Sequence, residues 1–165
     1  MCAPRENLLA ENHPSHHYIR DRCGRSKFRD VGYMKGYVTH LERETEKNTD
    51  FRHVLYTGKN SQLVLMSLKP GEEIGEEVHE DHDQFFRFEM GEGKVVIDGA
   101  EHRVKNGSGV IVPAGARHNV VNTSNRANLR LYTIYSPPEH RDGVIRHTKQ
   151  EATASEEHFD GHTTE

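Results

Sequence analysis

Pro70–Gly93 reads PGEEIGEEVHEDHDQFFRFEMGEG, and Asn106–Asn122 reads NGSGVIVPAGARHNVVN. These two stretches decide the fold. In the first, Gly71, Glu77, His79, Gln84 and Gly91 form a spaced pattern. In the second, Gly107, Pro113, Gly115, His118 and Asn122 form another. In a strand, residues two apart share a face. Glu77 and His79 therefore point one way, with Val78 opposite. Asp81-His82-Asp83 is a polar break, after which Gln84, Phe86 and Phe88 share a face. His118 follows the turn Pro113-Ala114-Gly115. Four lone-pair side chains from neighbouring strands thus converge inside a barrel, and imidazole, carboxylate and amide oxygen all ligate divalent ions.

Working outward, the period of two continues on both sides. Strands are expected at Phe51–Tyr56, Gln62–Leu68, Ile74–His79, Gln84–Glu89, Lys94–Ile97, Glu101–Lys105, Val110–Val112, His118–Asn122 and Leu129–Tyr135. Thr57-Gly58, Pro70-Gly71, Asp98-Gly99 and Asn106-Gly107 punctuate them, and Asp98-Gly99 is a hairpin signal. Many short strands with frequent turns indicate an all-β barrel or sandwich. Gly36–Leu41 is expected as an edge strand leading into it. Ser136-Pro137-Pro138 stops the last strand.

The paired patterns resemble the two motifs of the cupin superfamily. The resemblance covers roughly residues 60–135. The second motif matches from Gly107 to Asn122. The first departs, with Glu77 and Gln84 where the family commonly has His and Glu. The resemblance implies a double-stranded β-helix, a jelly-roll-like barrel with polar N- and C-terminal extensions. It implies one divalent metal ion (Zn, Mn, Fe or Ni) held by Glu77, His79, Gln84 and His118; if the protein is an enzyme, catalytic Glu77 or a bound water would move protons. Within the superfamily the chain is similar to small single-domain cupins often described as mannose-6-phosphate isomerase-like. The segment MKGYVTHLERET from Met34 resembles their usual beginning.

The flanks complete the organisation. Residues 1–33 are expected to be a disordered extension or a misassigned start, 34–138 the barrel, and 139–165 a polar tail with a short helix within Lys149–Phe159. Cys2 and Cys23 read as incidental thiols. His147, His158 and His162 read as solvated tail histidines, and the last residues as mobile. His82 is expected to be loop-exposed, because its spacing from His79 does not share a strand face.

Composition bounds the partners. The 165 residues are 33% hydrophobic and 29% charged, with a net charge of −4. No basic footprint for nucleic acid is visible. No apolar run reaches the roughly 18 residues of a membrane span, and the opening MCAPRENLLAENHP lacks a signal-peptide core, so a cytoplasmic location is expected. Apolar residues on both faces of Leu129–Tyr135 point to a homodimer, with a small-molecule ligand or substrate in the barrel. Three functions remain open: a sugar-phosphate isomerase-like enzyme, a metal-dependent dioxygenase, and a non-catalytic ligand sensor. No evident Arg/Lys cluster accompanies the motif residues to hold a phosphate.

Overall fold

The computed structural model describes residues 18–20, 26–28, 36–155 and 157–165. The chain divides into two units, Met1–Gly36 and Tyr37–Glu165. In the first, β1 (Tyr18–Arg20) and β2 (Ser26–Phe28) pair antiparallel, with Tyr18 opposite Phe28. The rest of the expectation for residues 1–33, including both cysteines, lies outside the described residues.

The second unit opens with a correction. Gly36–Leu41 is not an edge strand; residues 36–40 are irregular and helix α1 (Leu41–Lys47) follows. Leu41 and Thr45, four apart, meet through a Thr45 hydroxyl bond to the Leu41 carbonyl, and Thr45 is fully buried. Glu42 and Glu44 in the first turn and Lys47 in the last complement the helix dipole. Only one short face of this helix is apolar, so a periodicity reading misses it.

The barrel strands follow: β3 (Arg52–Thr57), β4 (Gln62–Leu68), β5 (Asp83–Met90), β6 (Glu92–Ile97), β7 (Ala100–Lys105), β8 (Gly109–Val112), β9 (His118–Asn122), β10 (Leu129–Ser136) and β11 (Ile145–Arg146). They form two antiparallel sheets, in the order β11-β3-β4-β10-β5-β8 and β7-β6-β9. Eight of the nine expected strands are present with ends shifted by at most two residues. The Asp98-Gly99 hairpin forms with both residues at positive φ, as a two-residue turn matched to strand twist requires.

The ninth, Ile74–His79, is not a continuous strand. It touches β9 at two isolated bridges, Glu73↔Val121 and Glu77↔His118. Between the bridges, the five residues Glu73–Glu77 lie opposite the four residues His118–Val121, which is a bulge. Gly75, at φ 106°, takes up the extra residue.

Phe86, Phe88, Val64, Val95, Val120, Leu129 and Leu131 are fully buried between the sheets. Each such side chain contributes roughly 1.5–3 kcal/mol by leaving water. Gln84 shares their face, as the period of two requires, and is carried into the same interior. On the outer face Phe85 and Tyr132 tilt against one another at 6.2 Å, and Ile111 is 68% exposed. Asn122 closes the second motif structurally: its amide donates to the carbonyls of Leu68, Lys69 and Ala127.

After β10 the chain turns back to the barrel. Helix α2 (Lys149–Ala154) is shorter than expected, capped by Thr148 Oγ1 accepting from the Glu151 N–H. The final residues are not loose. Thr164 exchanges bonds with Thr57, its N–H donating to the carbonyl and its hydroxyl accepting from the N–H, both at 2.9 Å.

Candidate metal centre

Backbone pairing sets the site. Glu77 and His118 exchange both N–H···O bonds at 2.9 Å, so their side chains start from directly opposed positions. The turn before β9 is tied to the first motif by Gly115 N–H donating to the His79 carbonyl at 2.8 Å. Alternation then brings His79 to the face of Glu77, and His79 Nε2 lies 3.5 Å from Glu77 Oε2. The ligand atoms of Glu77, His79 and His118 lie within 4.8 Å of one another. His79 and His118 rings are 5.4 Å apart.

Gln84 sits against His118. Its Oε1 is 2.9 Å from His118 Nε2, and its amide donates to Thr133 Oγ1 at 3.0 Å. The other ring nitrogen, Nδ1, is 3.2 Å from the Ala116 carbonyl. Both neighbours of this imidazole are acceptors, and a neutral ring has one proton to give. Burial, the largest influence, lowers the His118 pKa, partly offset by the Ala116 carbonyl and Glu77. In one neutral tautomer Nδ1 donates to Ala116 and the Nε2 lone pair faces the Gln84 oxygen; in the other, Nε2 donates to Gln84 Oε1.

Two oxygen or nitrogen ligands cis on one ion, with bonds of about 2.1 Å, sit roughly 3.0–3.4 Å apart. The Gln84–His118 spacing is close to that range. His79 Nε2 is buried with no hydrogen-bond partner. The residues present therefore fit a divalent ion.

The structure also adds residues that spacing did not reveal. His82 is not loop-exposed but buried, at 6% exposure, with its ring stacked on His79 at 4.4 Å. Glu139, from the segment after β10, places Oε2 3.1 Å from His82 Nε2 and 4.0 Å from His79 Nδ1. No pattern in the sequence ties Glu139 to the motif; only the return of the chain past Pro138 does. Tyr135 is buried edge-on to His79, His82 and His140, and burial raises its pKa, keeping the phenol neutral.

A cavity of about 450 Å³ opens beside Glu77 and His79. Arg52 and Lys149 line it, so cationic groups absent from the motif arrive from β3 and α2. Glu139, Glu157 and His158 also reach it, and His158 is thus a cavity-lining residue rather than a remote tail histidine.

Fold and site together define a cupin. Residues 64–135 match the cupin domain family. The chain is 43% identical over 129 residues to the uncharacterised protein YrkC of Bacillus subtilis, covering 74% of this chain and 69% of the relative. It is 43% identical over 113 residues to the uncharacterised protein L612 of Acanthamoeba polyphaga mimivirus, covering 66% and 70%. Among solved structures, BH2720 from Bacillus halodurans superposes with a TM-score of 0.71 at 41% identity, covering 76% of this chain and 98% of that one. The chain belongs to the cupin family. Among the described residues, no helix is long and apolar enough to cross a membrane.

Proposed function

We propose that this cupin binds one divalent metal ion through Glu77, His79 and His118, with the Gln84 oxygen as fourth ligand, and uses it to hold a small polar ligand. The observation that carries the reading is the buried, unpartnered His79 Nε2 facing Glu77 beside His118. When bound, the ion would polarise a carbonyl or hydroxyl of that ligand. Glu77, at the cavity wall, holds or moves the ligand's proton. Gln84 keeps His118 oriented through the Thr133 bond. Tyr135 excludes water from the far side of the histidines.

A second reading, a sugar-phosphate isomerase-like activity, has one specific support: Arg52 and Lys149 line the cavity, and Arg52 Nε is buried without a hydrogen-bond partner. An anionic group of the ligand would be held there. Self-association through the face carrying Phe85, Ile111 and Tyr132 is part of the proposal.

The test is metal analysis of protein purified without a histidine tag, beside the His79→Ala/His118→Ala double variant. Parent protein should carry one ion per chain and the variant none; equal content would refute the site. Turnover of a panel of sugar phosphates with and without chelator then separates an enzyme from a binding protein.

A further inference from the structure

We propose that His82 and Glu139, with Nδ1 of His79, form a second, alternative seat for a divalent transition-metal ion, on the other edge of the His79 ring. The reading shares His79 with the seat proposed above and depends on it only there. His82 is the first support. Its side chain is 5% exposed and its Nδ1 lies 2.8 Å from Asp81 Oδ1. A carboxylate accepts only, so Nδ1 is the donor, and in the neutral ring Nε2 holds the lone pair. This carboxylate–imidazole pairing is the arrangement that orients metal-bound histidines.

His82 Nε2 is buried without a hydrogen-bond partner, although Glu139 Oε2 is only 3.1 Å away. The approach lacks hydrogen-bond geometry, and with the ring neutral both atoms present lone pairs to the space between them. Their separation suits cis ligands on one ion, about 3.0–3.4 Å apart for bonds near 2.1 Å. His79 Nδ1 is 4.0 Å from the same carboxylate oxygen, and all three ligand atoms lie within 4.8 Å. Two imidazoles and a carboxylate form a donor set suited to Zn, Fe, Mn or Ni.

Glu139 is held rather than free. Its carbonyl accepts from the Phe159 N–H at 2.8 Å. The next residue, His140, is bonded through both backbone groups to Gln62. The carboxylate is therefore presented by a fixed segment, as a preorganised ligand must be. A neutral imidazole has one lone pair, so His79 serves one ion at a time. The two seats compete, and the parent chain holds one ion.

The experiment titrates tag-free apoprotein with Co²⁺, reading visible absorbance and bound metal after dialysis. The forms are parent, His118→Ala, Glu139→Ala, and His118→Ala/Glu139→Ala, with His82→Ala replacing Glu139→Ala as an independent route. His118→Ala should keep one ion with an altered spectrum. Glu139→Ala alone should also keep one. The double variant should bind at least roughly 100-fold more weakly than His118→Ala, since losing even an outer-shell partner of a metal ligand costs about 10–100-fold. If His118→Ala binds no ion while the parent does, the second seat is refuted and the first stands. Equal affinity of His118→Ala and the double variant also refutes it. If His118→Ala binds as the parent does and the double variant fails, the second seat stands and the first falls.

Discussion

Gln62 offers a sharp test of how the scaffold holds the site. It opens β4 and is completely buried. Its amide donates to the His140 carbonyl at 2.6 Å and to Thr57 Oγ1 at 2.9 Å, while its oxygen accepts from the His140 N–H at 2.9 Å. One side chain thus satisfies both backbone groups of the residue after Glu139. Gln62→Leu keeps the volume and removes every one of these bonds. Each buried polar group left unpaired costs about 1–3 kcal/mol. Two orphaned backbone groups give about 2–6 kcal/mol, and burying an apolar side chain in place of an amide recovers part. A net loss of about 2–4 kcal/mol is expected, by urea unfolding of apoprotein with an unchanged slope. Ser61→Ala, its exposed neighbour, should stay within about 0.5 kcal/mol. A Gln62→Leu loss below about 1 kcal/mol would refute the reasoning, since the clamp would then contribute no more than a surface contact.

Three further outcomes are expected. Gly93→Ala would place a Cβ 2.4 Å from the Val121 carbonyl oxygen and 2.7 Å from Leu129 Cδ2, so β6 and β9 must part; thermal unfolding should show a loss of about 1–3 kcal/mol or more. Burial, and then the Arg52 guanidinium, lower the His140 pKa to about 2 from 6.5. The unfolded chain then binds a proton that the folded one refuses, so stability is full above pH 6.5 and is lost as pH falls. This group alone removes about 2 kcal/mol between pH 7 and pH 5, and His140→Gln should flatten that slope in chelator-treated protein. Deleting residues 1–33 should leave unfolding within about 0.5 kcal/mol and metal content unchanged; a loss above about 2 kcal/mol would mean the segment packs on the barrel.

The strands were legible because alternation is enforced wherever one face is buried. Gln84, Phe86 and Phe88 go inside together, and a one-residue slip would expose all three. Turn chemistry fixed the Asp98-Gly99 hairpin equally well. Gly36–Leu41 failed for a converse reason. Its apolar residues Tyr37 and Val38 are exposed, at 41% and 95%, so their alternation answers to no core. The local preference of Glu42–Lys47 for helix decides instead. The tail failed differently: polar composition suggested mobility, but Thr164 finds a strand edge at Thr57, which no residue of the tail announces.

The geometry of the candidate site was legible only as far as one sheet surface reaches. Glu77 and His79 share a face by period, and His118 opposes Glu77 by pairing. His82 was misjudged because the strand rule was carried past the strand. Residues 78–82 are irregular, and there a three-residue spacing can still stack two rings, as His79 and His82 do at 4.4 Å. Glu139 lies beyond any local rule, since its place depends on Gln62 gripping His140 across 78 residues of chain. The departures from the family pattern then become connected. The first motif gives up one imidazole and moves its carboxylate to Glu77. A second imidazole and a second carboxylate stand on the other edge of His79. The charge and donor types around that ring are redistributed between two sides, and the ring itself is the element common to both.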